Sequence, residues 1–246
     1  MLKFSIILPV YNGASTIVRA IESVIEQSFT GWHLYIINDH SSDNTLQLIN
    51  TYRKHKNITV INNDKNQGVS YSRNLGISKS QEEIISFIDS DDEWMPEKLQ
   101  AQLAAIKAGA SIVISDYNYI SNNKYPVRAG FDSLSRNNFI KKKFRVCLSS
   151  LCFLRGEYVP EFEKIGHEDF LFIYQLLSKY EKMTIVPYLL VNYYEMGGSL
   201  SSNKFRAALW HLNVLKFIFP GKRLIINYYF FFYIWNAIKF KVKVSK

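Results

Sequence analysis

Asp89, Asp91 and Asp92 fall within four positions, at the point where an apolar, β-branched run (Ile84-Ile85-Ser86-Phe87-Ile88) stops. Two unit charges ~4 Å apart at an effective dielectric of ~20 repel by about 4 kcal/mol, so carboxylates this crowded call for a positive partner. A hard divalent cation is the usual answer. Mg²⁺ and Mn²⁺ take oxygen ligands and share their shell with substrate phosphates. A polar turn closing a strand is the plain alternative for an isolated D-x-D, and the surrounding residues must decide between the two.

Two further strands end in polar clusters. Residues 3–9 read as a buried strand running into Pro9-Val10-Tyr11-Asn12, and His33 to Ile37 reads as a second running into Asn38-Asp39-His40-Ser41-Ser42-Asp43. Between and after them, helical spacing (Ile17, Ala20, Ile21, Val24 and Ile25), a helix capped by Asp43, a strand at 58–61, a helix at 69–78 and a strand at 83–88 continue the alternation. Repeated strand–helix alternation predicts a parallel sheet covered on both faces, with ligands at the carboxyl ends of the strands. Three polar strand ends in one βαβα series therefore meet on one rim. Beyond it, 111–119 reads as another strand pair, 120–150 as irregular and basic with Lys141-Lys142-Lys143 a solvated helix face, 147–154 as strand, and 168–179 as a helix opening at His167-Glu168-Asp169.

With 246 residues and 48% apolar content, the chain can bury a full core. Its first residues enter a strand pattern directly, without a charged n-region, a long apolar stretch and a cleavage site, so no secretory signal is expected. Cys147 and Cys152 are too few for a disulfide framework, and reduced, buried thiols are expected. The net charge of +9 is confined to one end, because residues 1–195 hold equal numbers of basic and acidic side chains and the remainder carries no acid.

With these residues assembled, the chain resembles family 2 glycosyltransferases of the GT-A fold: an α/β, Rossmann-like, mostly parallel central sheet flanked by helices. The carriers are S-I-I-L-P-V-Y-N at 5–12, N-D-H-S-S-D-N-T at 38–45, N-Q-G-V-S-Y-S-R-N-L-G-I at 66–77, F-I-D-S-D-D at 87–92 and G-H-E-D-F at 166–170. A looser likeness at 198–204 is to bacterial members that build surface polysaccharides such as O-antigen, capsule and lipopolysaccharide. The resemblance implies a glycosyltransferase domain over 1–200, with a nucleotide-binding half (1–115) and an acceptor half (116–200), followed by a helical, basic, aromatic-rich extension over 201–246.

It also implies roles. Pro9, Tyr11, Asn12 and Asp39 would hold the nucleotide, with Asp39 alternatively a turn residue fixing its loop. Asn66, Gly68 and Arg73 would form a second nucleotide wall. Gly68 permits a tight turn, and Arg73 offers a charged donor fork or, equally, a salt bridge to the acidic cluster. Asp89 would serve the ribose or metal shell and Asp91 would ligate Mn²⁺ or Mg²⁺, with Asp92 orienting the loop. Asp169, with Glu168 as runner-up and His167 behind it, would be the general base, although two acids at a helix start also suit its positive end. The implied reaction is transfer of one sugar, with inversion, from a nucleotide-sugar donor (a UDP-sugar foremost) to a glycan or lipid-linked oligosaccharide acceptor. No nucleophilic Cys or Ser stands with a base partner, which suits direct displacement.

The extension bears on location. Lys222-Arg223 and Lys239, Lys241, Lys243 and Lys246 bracket a 15-residue stretch rich in Tyr, Phe and Trp, short of the ~20 residues a spanning helix needs. Residues 204–246 are therefore expected to lie at a membrane surface, drawn by anionic lipid at about 1 kcal/mol per nearby cation, or else to pack on the catalytic domain. The implied location is cytoplasmic, peripheral on the inner face of a bacterial cytoplasmic membrane. No nucleic acid is expected as partner, since no binding module accompanies the charge.

Other nucleotide-binding classes lack their fingerprints here: neither G-x-G-x-x-G after the first strand nor G-x-x-x-x-G-K-[ST] is present. The Q-x-x-R-W of processive synthases is also missing, which favours single addition. A non-catalytic nucleotide-sugar-binding or scaffold protein of the same fold is the alternative. Relatives often carry Tyr-Arg where this chain has Tyr193-Tyr194, a gap that a lysine of the extension such as Lys204 would fill if that arginine contacts the diphosphate.

Overall fold

The computed structural model describes residues 2–157, 159–195 and 204–244. Four strands, β1 (Phe4–Val10), β2 (Trp32–Asn38), β3 (Ile58–Asn62) and β4 (Ile84–Phe87), pair in parallel in the spatial order β3-β2-β1-β4. They are joined by α1 (Ile17–Ile25), α2 (Thr45–Asn50) and α3 (Val69–Lys79). Every residue of β1 is buried, as a central strand covered on both faces must be. Ile17, Ala20, Ile21 and Val24 of α1 are the buried positions that helical spacing predicts. Asn44, not Asp43, occupies the cap position of α2, yet Asp43 still serves the helix start: its carboxylate accepts from the Thr45 N–H (3.0 Å) and, across to the β1–α1 loop, from the Ala14 N–H (3.1 Å).

The second half departs from a purely parallel sheet. β5 (Glu93–Trp94) and α4 (Lys98–Lys107) lead to β6 (Ile112–Ile120), a single long strand that turns into β7 (Lys124–Val127) as an antiparallel hairpin. β8 (Ser133–Ser135) and α5 (Arg136–Ile140) give order to a stretch that composition alone reads as irregular. β9 (Cys152–Leu154), preceded by a short 3₁₀ turn at Leu148–Ser150, slots antiparallel between β4 and β6. After α6 (Glu168–Tyr180), β10 (Lys182–Tyr194) pairs in parallel with β6 and antiparallel with β5 and β8. Among the described residues this makes one mixed ten-stranded sheet, parallel where crossover helices link the strands and antiparallel where short segments double back. Cys147 and Cys152 are both free and buried, as expected.

An aromatic cluster locks the halves together. Phe162 stacks on Phe172 with ring centroids 4.0 Å apart, and Phe87 meets both edge-on. Asn74 of α3 fastens the same loop, donating to the Phe162 carbonyl (3.1 Å) and accepting from its N–H (2.8 Å). These contacts fix the entry to α6, and hence Glu168 and Asp169, against α3.

Lys98 is the anomaly of this core. It is fully buried, its ammonium lying 3.7 Å above the Trp94 ring and donating to Gln102 Oε1 (2.8 Å) and Ser86 Oγ (3.3 Å). Burial pushes its pKa down to about 7. Between that value and ~10.4 the unfolded chain binds a proton that the folded chain does not, so this residue makes stability rise with pH at up to about 1.4 kcal/mol per unit. Lys98→Met removes the effect. Urea unfolding of both proteins at pH 7, 8 and 9 should show the wild type gaining on the variant as pH climbs; a constant difference would mean that the lysine is charged in the fold.

The extension is two helices, α7 (Lys204–Ile218) and α8 (Arg223–Val244). α8 turns Ile226 and Tyr233 inward, while Leu224, Tyr228, Phe231, Trp235 and Ile238, spaced along one helical face, stay exposed. Docking on the domain and an apolar outer face thus coexist. Among the described residues no helix is long and apolar enough to cross a membrane.

Candidate functional site

The polar ends of β1, β2 and β4 do meet on one rim. Asn12, in the left-handed region at φ 49°, ties the first two ends together: its N–H donates to Ser41 Oγ (3.0 Å) and its side-chain carbonyl accepts from the Ser42 N–H (2.8 Å). Pro9 is buried inside β1, and Tyr11, two residues on, is 52% exposed beside the rim.

Asp39 is 3% exposed and nearly saturated. It accepts from Asn63 Nδ2 (2.7 Å), the Gln67 N–H (2.9 Å) and the Gly68 N–H (2.7 Å). A carboxylate has about four acceptor positions, so one remains for a ligand. The residue therefore fastens the 66–68 loop to the β2 end, which is the loop-fixing alternative, and leaves a single direction for a donor group. Gly68 at φ 92° caps α3 in a conformation that disfavours a side chain, and Asn66 is exposed at the loop tip.

Arg73 makes the salt bridge that the sequence allowed. Its guanidinium contacts Asp89 Oδ1 at 2.7 Å and Glu168 Oε1 at 3.7 Å and lies over the Phe162 ring. One buried cation thus joins the acidic rim to the start of α6. The remaining acids divide by environment. Asp92 is fully buried, accepting from Ser149 Oγ and from the Tyr194 N–H (3.1 Å), so it holds the loop in place; burial and the charges of Asp89 and Asp91 raise its pKa well above the usual carboxylate range. Asp91 is only partly buried, and burial with the neighbouring Asp89 charge lifts it to about 6. Arg19 of α1 grips this turn, donating to the Asp91 carbonyl and stacking 3.8 Å from the Tyr194 ring centroid.

Among the described residues no three His, Cys, Asp or Glu side chains converge as a ready-made metal cage. The donor set still suits Mg²⁺ or Mn²⁺, which keep most of their shell for water and phosphate oxygens. Asp91 and the oxygen of Asp89 not held by Arg73 are hard ligands, and their mutual repulsion would be relieved by a dication. Asp92 is already committed to protein donors.

Beside this rim lies a cavity of about 540 Å³, lined by the charged Asp89, Arg73, Glu168 and Asp169 and by the aromatic Phe139, Phe170, Tyr193 and Trp210. Trp210 belongs to α7, so the extension completes the wall. Gly166, at φ 71°, permits it, since a Cβ there would fall 2.5 Å from the indole. His167 packs against Trp210, His211 and Tyr233, and burial together with the Lys142 and Arg145 charges pushes its pKa down to about 4, leaving it neutral. Burial first, then Asp169, raises the pKa of Glu168 against the pull of Arg73.

Lys142 and Arg145 also line the cavity, which corrects the reading of Lys141-Lys142-Lys143 as a solvated face. Lys143 is exposed, Lys141 sits 5.3 Å from the rings of Tyr228 and Phe232, and Lys142 turns inward, 4.7 Å from the Tyr233 ring. Sequence reasoning missed Lys142, Arg145, Arg19, Ser149 and Trp210. Only Arg19, a charge beside the apolar face of α1, carried a local signal. Lys204 and the 198–204 motif cannot be assessed, because residues 196–203 and the Lys204 side chain lie outside the described residues.

A family model described as glycosyl transferase family 2 matches residues 5–159. An uncharacterized glycosyltransferase of Haemophilus influenzae is 28% identical over 96% of this chain and 97% of its own length. The Escherichia coli enzyme WfgD, named as a UDP-Glc:alpha-D-GlcNAc-diphosphoundecaprenol beta-1,3-glucosyltransferase, is 28% identical over 96% of this chain and 93% of its own. Among solved structures, S. aureus TarS 1-349 in complex with UDP-GlcNAc superposes with a TM-score of 0.72 at 22% identity, covering 88% of this chain and 65% of that one. The mannosyltransferase PcManGT from Pyrobaculum calidifontis, in complex with GDP-Man and Mn2+, does so at 0.71 and 16%, covering 99% and 73%. At these identities the two structures establish a shared fold.

Proposed function

The chain belongs to glycosyl transferase family 2 and is a glycosyltransferase acting on nucleotide sugars, and from that premise we propose that it moves one sugar, with inversion, from a UDP-sugar to a lipid-linked diphosphate glycan. The observation that carries the reading is the Arg73 bridge, which sets a nucleotide-side acid (Asp89) and the start of α6 (Glu168, Asp169) on one cavity wall. A displacement needs its leaving group and its base in such an arrangement.

The walls built by Tyr11, Asn12, Asp39, Asn66 and Gly68 receive the nucleoside, with the remaining acceptor direction of Asp39 available to a base N–H. Asp91 and Asp89 would hold Mn²⁺ or Mg²⁺, which would supply charge neutralisation to a departing diphosphate. Arg73 adds a fixed positive charge beside the same group and keeps Asp89 oriented. Asp169 removes the proton from the acceptor hydroxyl. Glu168, tied to Arg73, positions the turn; Asp169 faces the acceptor side, where the positive charge of Lys142 acts on it. The acceptor's lipid is the class named for WfgD. The exposed stripe of α8, bordered by lysines, rests on the bilayer, so that residues 201–246 serve as a membrane-proximal unit beside the 1–200 catalytic domain. The location that goes with this reading is the inner face of a bacterial cytoplasmic membrane.

One reconstitution tests both parts. On phosphatidylglycerol vesicles carrying α-GlcNAc-diphosphoundecaprenol, the protein should float with the lipid and, with Mn²⁺ and a panel of UDP-sugars, add a single β-linked sugar from an α-linked donor. Absence of flotation would refute the membrane contact, and absence of transfer from every donor would refute the donor assignment.

A further inference from the structure

Lys142 is held in a conformation that lysine avoids. α5 ends in a Schellman turn, with the Lys142 N–H donating to the Phe139 carbonyl (2.8 Å) and the Lys143 N–H to the Asn138 carbonyl (3.1 Å). The C′ position of such a turn needs positive φ and is normally glycine; here it is Lys142, at φ 49°. A side chain in this region costs roughly 1–2 kcal/mol, and strain of that kind gathers at functional sites. The result is a lysine aimed into the cavity, its ammonium 4.7 Å from the Tyr233 ring and 5.4 Å from the Phe170 ring. Arg145 lines the same wall, its guanidinium 5.8 Å from the Tyr119 ring and 6.0 Å from the Tyr193 ring.

The cavity is over-supplied with positive charge. Arg73, Lys142, Arg145 and Lys164 line it against Asp89, Glu168 and Asp169, and Arg73 already engages the first two acids. Lys142 makes no salt bridge among the described residues. Burial lowers its pKa to about 8, and Arg145 opposes its charge further while Asp169 favours it. Pro9, Tyr11, Asn12, Asp39 and Gly68 do not line this cavity, whereas Arg73 and Asp89 do, so Lys142 and Arg145 share it with two residues of the donor site and with Asp169.

Resting on the lipid-linked acceptor reading above, we propose that Lys142 and Arg145 form a cation pair that takes the diphosphate of the acceptor. Two phosphate-compatible donors of different shape, an ammonium point charge and a planar fork, can grip a diphosphate at both phosphorus centres. The acceptor hydroxyl then falls toward Asp169, and the first part of the lipid runs along Phe139, Phe170 and Trp210 toward the extension.

The test separates this pair from the donor site. In metal-free buffer, calorimetric titration with inorganic pyrophosphate reads the cations of the cavity, Arg73 included, and the Lys142 and Arg145 variants isolate the share of the pair. Wild-type protein should bind it, and Lys142→Gly and Arg145→Gln should each weaken binding at least tenfold. UDP affinity in the presence of Mn²⁺ should stay within twofold in both variants. Glycine suits the positive φ, so Lys142→Gly should melt at or above the wild-type temperature, which keeps misfolding out of the result. Dodecyl diphosphate, below its micellar concentration, should bind more tightly than pyrophosphate, assigning the site to a lipid-borne group and not to a soluble phosphate. No pyrophosphate binding, no loss in the variants, UDP affinity falling in step, or no gain from the alkyl chain would each overturn the proposal. Failure of the wild type to bind UDP with Mn²⁺ would instead strike the donor reading on which it rests.

Discussion

Asp91→Asn should yield a protein more stable than the wild type at pH 7 and about 10³-fold slower in transfer. The two effects share one cause. Burial and the Asp89 charge raise the Asp91 pKa to about 6, against ~3.9 in an unfolded chain. Between those values the folded state binds more protons, so the contribution of this group to stability is greatest below pH ~4 and is lost as pH rises through 6. At pH 7 the ionised carboxylate therefore costs on the order of 1–3 kcal/mol relative to a neutral side chain of equal shape. Asparagine relieves that repulsion and also removes the oxygen anion that would hold the dication against the departing diphosphate, an interaction worth several kcal/mol in the transition state. Thermal melts at pH 4 and pH 7 should show the variant gaining on the wild type only at the higher pH. Mn²⁺ with UDP should raise the melting temperature of the wild type and not of the variant. A variant that melts lower at pH 7, or that retains full transfer, would remove Asp91 from this role.

The same opposition explains which parts of the site could be read from residue order alone. The rim was legible because each of its strands is a run of β-branched apolar residues cut off by polar ones, and period and composition change together at Val10, Asn38 and Ile88. The Arg73–Asp89 pair was foreseeable as one of two alternatives, since a fixed cation beside crowded acids is electrostatically cheap. What escaped was whatever depends on tertiary direction. Lys141, Lys142 and Lys143 are identical letters, and only the left-handed turn at the end of α5 sends the middle one into the cavity. β9 has three residues, too few for a period, and its antiparallel insertion between β4 and β6 is one of the reversals, with β5, β7 and β8, that make the sheet mixed. In α8, aromatic residues occur on every side, so residue order does not distinguish its docking face (Ile226, Tyr233) from its exposed outer face (Phe231, Trp235, Ile238). Asp39 illustrates a subtler limit. Its residue type suits a ligand contact and a loop anchor equally, and three protein donors already occupy it.

Asp169→Asn should lower kcat by about 10³-fold while leaving the KM for the donor within about twofold, and Glu168→Gln should lose less than tenfold. General-base removal of the acceptor proton is worth roughly 10²–10⁴ in rate, which only the group facing the acceptor can supply. The neighbours of the two acids differ. Glu168 lies 3.7 Å from the Arg73 guanidinium, which also holds Asp89 at 2.7 Å, so its charge is engaged in a bridge on the nucleotide side. Asp169 is beyond that salt bridge, and on the cavity wall it shares Lys142 and His167 as charged and polar neighbours. Because His167 is held neutral at pH 7, with its pKa near 4, it cannot act as a cationic partner, and Lys142 and Arg73 are the cations whose charge acts on Asp169. Asparagine preserves shape and hydrogen bonding but accepts no proton, so the loss should fall on the chemical step. Asp169→Glu should restore part of the rate, because a carboxylate displaced by one methylene still reaches the hydroxyl through modest adjustment. Single-turnover transfer with saturating donor isolates that step from product release. Should Glu168→Gln prove the crippled variant and Asp169→Asn the mild one, the base is Glu168, and the Arg73 bridge is then what releases on acceptor entry.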